Sequence, residues 1–465
     1  MSLYQRLVRD VFHPLALWRA GDLGQLDYRR EFERTQWLSA DELCDLQWRR
    51  LRTLLEQAYR QCPFYRERFD RLGLVPDDFR GPEDLRVLPP VEKRDIQEHG
   101  ERMVARNWPR ADLVRNQTGG STGTPITFYL SSDRKRSRAA ATARHNAWAG
   151  WEVGAKAAVI WGAPQDRPAT GWRARLRRAL LREPLWLDTG CLTEHSLSAF
   201  HAALLRHRPT VIQAYARSAV LFARYLKARG LPACRPEAVV TSAEVLEPED
   251  RRLLEEAFGC PVFNRYGCRE VSVIASECDA HRGMHVMAEG LYVEVETAHG
   301  TAGPGELGSV LVTDLLNLAM PLVRYRIGDL GAWAAGDCPC GRRLPRLEQV
   351  AGRVTDFLVG GDGRLVSGVF LATYVVAQRP SLGQVQIRQD RPGAVLYRIR
   401  PGSGFHYQDD LEYIRRATCR YLGEGTAVEG EVVGELHAEP SGKFLFSRST
   451  VAPEFLAARG APSAR

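Results

Sequence analysis

From about residue 110 the sequence alternates between short apolar runs rich in β-forming residues and longer stretches whose apolar residues recur at helical spacing. Ala157 to Trp161, Thr210 to Gln213, Ala238 to Thr241 and Val262 to Phe263 are such runs, with helical patterns such as Ser196 to Arg206 and Ser218 to Arg229 between them. Strands joined through helices need crossover connections, so the alternation predicts βαβ units around a mostly parallel sheet. The flanks read differently. Residues 1 to about 105 are expected to be helical, with Leu43, Leu46, Trp48, Leu51, Leu54 and Leu55 at helical spacing within Ala40 to Gln61. Further on, Leu-Tyr-Val-Glu-Val-Glu from Leu291 and Gly308-Ser-Val-Leu-Val-Thr read as antiparallel strands around a turn at Gly303-Pro304-Gly305. The flexible turn Gly360-Gly361-Asp362-Gly363 sets off a small α+β unit. The expected class is α/β, with a large N-terminal domain of mixed β-sheets and helices over 1–354 and a small C-terminal α+β domain over 355–465.

Two domains also suit a chain of 465 residues, which exceeds what one ordinary core fills. The net charge of +8 and pI near 9.0 fit an anionic ligand, and no nucleic-acid recognition module accompanies them, so a small anion is expected rather than nucleic acid. No run approaches the ~18 apolar residues of a membrane span, so no transmembrane segment is expected. Met1 to Ala20 has scattered charges and no signal-peptide layout, and the ten cysteines therefore point to a reducing compartment and a cytoplasmic protein.

The segment with the most local chemistry is Gln117-Thr-Gly-Gly-Ser-Thr-Gly-Thr-Pro-Ile-Thr-Phe. Gly119, Gly120 and Gly123 permit close backbone approach, and Thr118, Ser121, Thr122 and Thr124 add hydroxyls, a combination able to wrap phosphate oxygens. The spacing and lysine of a Walker loop are absent. Four further segments follow in order: Ser242-Ala243-Glu244 with Tyr266-Gly267-Cys-Arg-Glu270 after it, Met320-Pro-Leu-Val-Arg-Tyr-Arg-Ile-Gly-Asp329, Gly352-Arg353-Val-Thr-Asp356, and Pro440-Ser-Gly-Lys443-Phe. Each alone is a plain turn or loop; their order and spacing are informative.

In that order the segments resemble the adenylate-forming superfamily of acyl-CoA synthetases, luciferases and peptide-synthetase adenylation domains. More narrowly they resemble the phenylacetate–CoA ligase group, with its capsule-biosynthesis and coenzyme F390 synthetase-like members. Ala58-Tyr-Arg-Gln-Cys-Pro-Phe-Tyr65 and Leu88-Pro-Pro-Val-Glu-Lys93 look like that group's opening segment, so the resemblance covers nearly the whole chain. It implies an AMP-forming acid–thiol ligase that uses ATP and Mg²⁺ to convert a carboxylic acid to an acyl-adenylate and transfers it to coenzyme A. The alternative it leaves open is transfer of AMP, or of the acyl group, to an acceptor other than coenzyme A; a homodimer is an admissible assembly.

The resemblance also implies roles. The 118–124 loop would hold the β- and γ-phosphates, Glu270 would bind Mg²⁺ as a hard oxygen ligand, and Tyr266 and Gly267 would flank the adenine. Ser242, Ala243 and Glu244 would line the nucleotide pocket, Asp329 would accept hydrogen bonds from the ribose hydroxyls, and Arg353 would contact ribose or phosphate. Lys443, on a mobile C-terminal domain, would neutralise charge developing on the transferred phosphate, and Asp356 would be the hinge that withdraws it. A plain turn or helix-cap role for Asp356 stays open. The sequence departs from the pattern at Thr124, where many members have lysine, and Arg269 fits the capsule-type subgroup.

Cys338-Pro-Cys340 and Cys278 offer three thiolates, and an imidazole from either His281 or His285 would complete a closed tetrahedral Cys₃His site for structural Zn²⁺, with buried or free thiols as the alternative. The arginine-rich run 173–182 is expected to be a solvated helix face rather than a membrane-surface helix. Trp161, Tyr215 and Cys268 are the candidates for the acyl pocket.

Overall fold

Ala238–Ser242 buries all 5 of its residues, and a strand covered on both faces has little use for polar–apolar alternation. The computed structural model describes residues 2–117, 126–161, 171–189, 194–353, 356–368, 371–372, 378–436, 445–452 and 454–455. Within them β1 (Leu113–Gln117) and β2 (Thr127–Ser131) form a hairpin. The parallel strands are β3 (Ala157–Trp161), β4 (Leu185–Asp188), β5 (Val211–Tyr215), β6 (Ala238–Ser242) and β7 (Val262–Cys268). They lie in the order β4-β3-β5-β6-β7, so the chain runs outward from β3 to β4 and then back to β5 on the other side of β3. That reversal opens a crevice at the carboxyl ends of β3 and β5, where open α/β sheets hold their ligands.

After β7 the sheet becomes antiparallel: β8 (Ser272–Glu277), β9 (Met284–Val286), β10 (Leu291–Thr297), β11 (Gly300–Thr301), β12 (Gly308–Asp314), β13 (Tyr325–Trp333) and β14 (Arg346–Arg353) continue it as β8-β9-β14-β13-β12-β10-β11. The β9–β14 join is slight, with Arg346 opposite His285 and Leu347 opposite Met284. A sheet so weakly tied at its middle can fold back on itself, and it does, because side chains on β13 reach the β7–β8 turn.

The opening helices cover the antiparallel half. Ser39 and Glu42 form a capping box that starts the helix Ala40–Gln61, whose Leu43, Gln47, Leu51, Leu54, Leu55 and Ala58 fall on one buried face. Each leucine buried there contributes roughly 1.5–3 kcal/mol. Gln47 Nε2 donates to the Ala288 and Leu291 carbonyls at 2.8 and 3.1 Å, fixing that helix to the start of β10. The helix Ser132–Trp148 is instead held by charge: Arg134 Nε is 2.8 Å from Asp314 Oδ2, and the Arg144 guanidinium meets Glu289 bidentately at 2.5 and 3.0 Å. Thr35 Oγ1 also donates to Glu289, and Arg144 Nη1 to the Phe32 carbonyl, so one buried carboxylate joins three segments distant in sequence.

The last part of the chain has its own apolar core of Leu358, Ile387, Tyr397, Ile414 and Leu422. It comprises the hairpin β15 (Phe357–Val359) and β16 (Leu365–Ser367), the helix Tyr407–Leu422, and a sheet of β17 (Gln384–Arg391), β18 (Ala394–Arg400), β19 (Ala427–Val432) and β20 (Ser447–Ser449) in the order β19-β18-β17-β20. This is an α/β fold with large mixed sheets followed by a small α+β portion.

Glu289→Gln leaves Arg144 buried without its full counter-charge, and breaking such a pair costs about 3–5 kcal/mol. Urea unfolding of the variant should show that loss; a change below about 1 kcal/mol would mean the pair holds little.

Candidate functional site

Glu270 is the middle residue of a three-residue turn, 269–271, between Cys268 and Ser272, which pair across β7 and β8. The turn is tight because Gly267 has no side chain: a Cβ there would lie 2.4 Å from the Ser272 carbonyl oxygen. Tyr266 and Glu270 are thereby presented together, and two residues four apart on β13 meet them. Tyr266 Oη donates to Asp329 Oδ2 at 2.7 Å, and Tyr325 Oη donates to Glu270 Oε1 at 3.0 Å. All four residues are buried. Strands β7 and β13 are four steps apart, about 19 Å in a flat sheet and far beyond a tyrosine's reach, so these contacts mark how sharply the sheet curls.

Gly328 takes φ +90° just before Asp329, and Asp329 lies opposite Arg353 in the β13–β14 register. The Arg353 side chain lies outside the described residues, as do the 118–124 loop and Lys443. Ser242 ends β6 in a buried position, and Ala243 follows with φ +68°, a conformation that costs a non-glycine residue about 1 kcal/mol or more. The turn it makes sends Glu244 to the helix Ala216–Ala228, where its carboxylate accepts the Arg217 backbone N–H at 2.8 Å. Glu244 therefore serves as an anionic cap on that helix's N-terminus. Asp356 follows the last strand of the large sheet, and its carbonyl accepts the Ser447 hydroxyl at 3.0 Å.

Of the acyl-pocket candidates, Trp161 and Tyr215 stack with ring centroids 4.0 Å apart at the ends of β3 and β5, in the reversal crevice. Cys268 sits apart from them beside Glu270, where burial first and the Glu270 charge next hold its thiol well above the ordinary range.

A second cluster joins Cys278, His285, Cys338 and Cys340, whose donor atoms all lie within 4.8 Å of one another. Cys278 Sγ and Cys338 Sγ are 3.7 Å apart, and Cys340 Sγ is 3.3 Å from His285 Nε2. A tetrahedral zinc with bonds of about 2.3 Å to sulfur and 2.0 Å to nitrogen has ligand–ligand edges of roughly 3.5–3.8 Å, so the donor set fits such an ion. His285 Nδ1 lies 3.2 Å from the Leu344 carbonyl, an arrangement that puts the ring proton on Nδ1 and leaves the Nε2 lone pair for a metal. Burial pushes the His285 pKa down to about 4, favouring the neutral ring, and pushes the Cys278 thiol up to about 12. His281 does not join them: its Nδ1 is 3.3 Å from Glu277 Oε2 and its ring packs on Phe263. Between the two histidines, the fold selects His285.

Tyr325 is a site residue the sequence reading passed over, although it stands within the quoted Met320 to Asp329 segment. Its four-residue spacing from Asp329 on a strand was the available signal, since even spacing puts both on one face.

No family model matches the chain. Among individual proteins, it is 30% identical over 349 residues to a phenylacetate-coenzyme A ligase of Thermus thermophilus, covering 69% of this chain and 73% of the relative. It is 29% identical to the phenylacetate-coenzyme A ligase of Escherichia coli, with the same coverage, and 22% identical to protein CapK of Staphylococcus aureus over 91% of this chain and 92% of CapK. In fold it resembles 2-hydroxyisobutyryl-CoA ligase in its postadenylation state, with a TM-score of 0.71 at 21% identity over 92% of this chain and 93% of that one. With a curled sheet that gathers Tyr266, Glu270, Tyr325 and Asp329, and with that extent of kinship, the chain belongs to the phenylacetate–CoA ligase family of adenylate-forming enzymes.

Proposed function

We propose that the protein activates a carboxylic acid with ATP and Mg²⁺ as an acyl-adenylate, releasing pyrophosphate, and then transfers the acyl group to coenzyme A, releasing AMP. The observation that carries this reading is the pairing of two carboxylates, Glu270 and Asp329, with two tyrosines where the sheet curls over its own parallel half. Adenylation needs one carboxylate for a hard cation and another for the neutral ribose, and these two are held apart by separate partners.

Glu270 would hold Mg²⁺, which when bound supplies charge neutralisation for the triphosphate. Tyr325, donating to one Glu270 oxygen, fixes the carboxylate's rotamer. Asp329 would accept from the ribose hydroxyls, a role in which it exchanges the Tyr266 hydroxyl for the ligand's own. Ser242, Ala243 and Gly267 would form the pocket edge, with the 118–124 loop on the phosphates, Arg353 at ribose or phosphate, and Glu244 supporting the pocket through its helix cap. Residues 355–465 would act as a lid that brings Lys443 in for adenylation and withdraws it, about Asp356, for thioester formation. The Cys278, His285, Cys338 and Cys340 cluster would hold a structural zinc that ties the β8 end to the β13–β14 loop. The protein would act in the cytoplasm; among the described residues no cysteine is in a disulfide, and no helix is long and apolar enough to cross a membrane.

A second reading is an acceptor other than coenzyme A. Pyrophosphate release from ATP and an acid panel, with and without coenzyme A, separates the two.

Four variants test the assignments. Lys443→Ala should slow adenylate formation by ~10²-fold or more while thioester formation from supplied acyl-adenylate continues; equal adenylation rates would remove the lysine from the chemistry. Asp329→Ala should weaken ATP binding by more than ~10-fold with the Mg²⁺ requirement unchanged, and Glu270→Gln should raise the Mg²⁺ needed for half-maximal rate. Matching profiles for those two, or undiminished ATP binding in Asp329→Ala, would contradict their assignment. Elemental analysis of protein purified without chelator should find about one zinc per chain, lost in Cys338→Ser. No metal, together with free alkylation of all three thiols, would eliminate the site.

A further inference from the structure

Arg265 is an arginine without a counter-ion. Arg134 and Arg144, on the helix Ser132–Trp148, are each buried against a carboxylate, Asp314 or Glu289, and the buried Arg346 donates to the Arg282, Ala335 and Gly336 carbonyls instead. Among the described residues the Arg265 side chain has neither a hydrogen bond nor an ion pair, and burial alone pushes its pKa down to about 10. Yet the residue is only partly buried, so it is not sealed within the core. An unpaired charge in such a position weakens the free protein, and a ligand of opposite sign offsets that cost.

Register shows where the crevice lies. Tyr215 is opposite Ser242, Ser242 opposite Arg265, and Arg265 opposite Ser276. One step beyond the Ile160–Ala214 pair, Trp161 joins Tyr215, and the two rings stack. Residues in register share a face, so Trp161, Tyr215, Ser242 and Arg265 form one row across the carboxyl ends of β3, β5, β6 and β7. At its inner end Ser276 contacts His145, whose pKa is lowered first by burial and then by Arg265, so the ring stays neutral and supplies no counter-charge. Asp188 lies beyond Trp161, four strands and about 19 Å from Arg265, too far to pair with it. Tyr266, the next residue along β7, points to the opposite face, where Asp329 and the Glu270 turn gather. Apart from Ser242, which also edges the nucleotide pocket, the row therefore lies on the other side of β7 from Tyr266, Glu270 and Asp329.

We propose that Arg265 recognises a second anionic group on the acid, so that the substrate class is a flat dianionic acid, such as an aromatic dicarboxylate, held beside Ser242. This rests on the reading that an acid is activated at this site, and it narrows which acid. The carboxylate that reacts faces the nucleotide; the other forms a charge-assisted, bidentate pair with the guanidinium. A monoanionic acid of the same shape leaves Arg265 unpaired in the bound state and is selected against.

The test compares wild type, Arg265→Met and Arg265→Lys with matched probes: phenylacetate against 4-carboxyphenylacetate, and benzoate against terephthalate. Three quantities are read: ATP–pyrophosphate exchange, calorimetric binding of each acid without ATP, and the thermal midpoint of the free protein. Wild type should favour the dianionic member of a pair by ~100-fold in kcat/KM, and Arg265→Met should abolish that preference while changing the monoanion by less than ~3-fold. Arg265→Lys should restore part of it. The thermal midpoint of Arg265→Met should rise, because an unpaired charge has been removed; a structural arginine would lower it. The same dianion preference in wild type and Arg265→Met overturns the proposal, and so does an equal loss for both members of a pair, which would put Arg265 on the reacting carboxylate. Dianion binding that follows Arg265, with no exchange for any acid, sustains this subsite and overturns the adenylation reading instead.

Discussion

Gly267 is where this structure has no alternative. Any side chain there would collide with the Ser272 carbonyl, so the β7–β8 turn can close this tightly only on a glycine. That turn ends the parallel half of the sheet and starts the antiparallel half. It puts Tyr266 on the last parallel strand and Glu270 at the turn, within reach of Tyr325 and Asp329 once the sheet has curled. Without the close approach the two carboxylates would lie on separate surfaces.

The curl has to be held, and backbone pairing does little of it, since β9 and β14 meet over two residue pairs. Side chains provide the rest. The Arg144–Glu289 pair anchors the helix Ser132–Trp148 beside the start of β10, and Gln47 fixes the opening helices to the same place. The Cys278, His285, Cys338 and Cys340 cluster spans the weak join itself, because His285 lies on β9 and the two later cysteines in the loop that leads into β14. A tetrahedral ion there would link strands that the ladder barely connects, which gives a structural metal a mechanical reason to exist. Residues after 356 pack on their own core, an arrangement suited to movement relative to the large sheet.

The repeating βαβ texture was legible because a doubly covered strand is apolar throughout and a crossover helix is not. Strand ends were less so: β5 extends through Tyr215 and β7 through Cys268, past the apolar runs. Order and spacing of motifs located Tyr266, Glu270 and Asp329, but could not reveal that Tyr266 and Asp329 bond to each other, since that contact depends on the curl. The choice between His281 and His285 was likewise tertiary, decided by the Glu277 carboxylate that engages one ring and the Leu344 carbonyl that orients the other. Nor could the sequence show that Glu244 accepts the Arg217 N–H, since that bond depends on the turn at Ala243. Arg265 had no signal of its own; an arginine before a tyrosine on a strand is unremarkable until its lack of a partner is seen.

Isotope transfer from the acid tests the central claim most directly. With an acid substrate labelled with ¹⁸O in its carboxylate, adenylation followed by thioester formation breaks the bond between the acyl carbon and the bridging oxygen. One labelled oxygen must then leave on the phosphate of AMP. Mass spectrometry of the products should find AMP carrying a single ¹⁸O and unlabelled pyrophosphate. Release of ADP with label in inorganic phosphate would show an acyl-phosphate route instead and contradict the account.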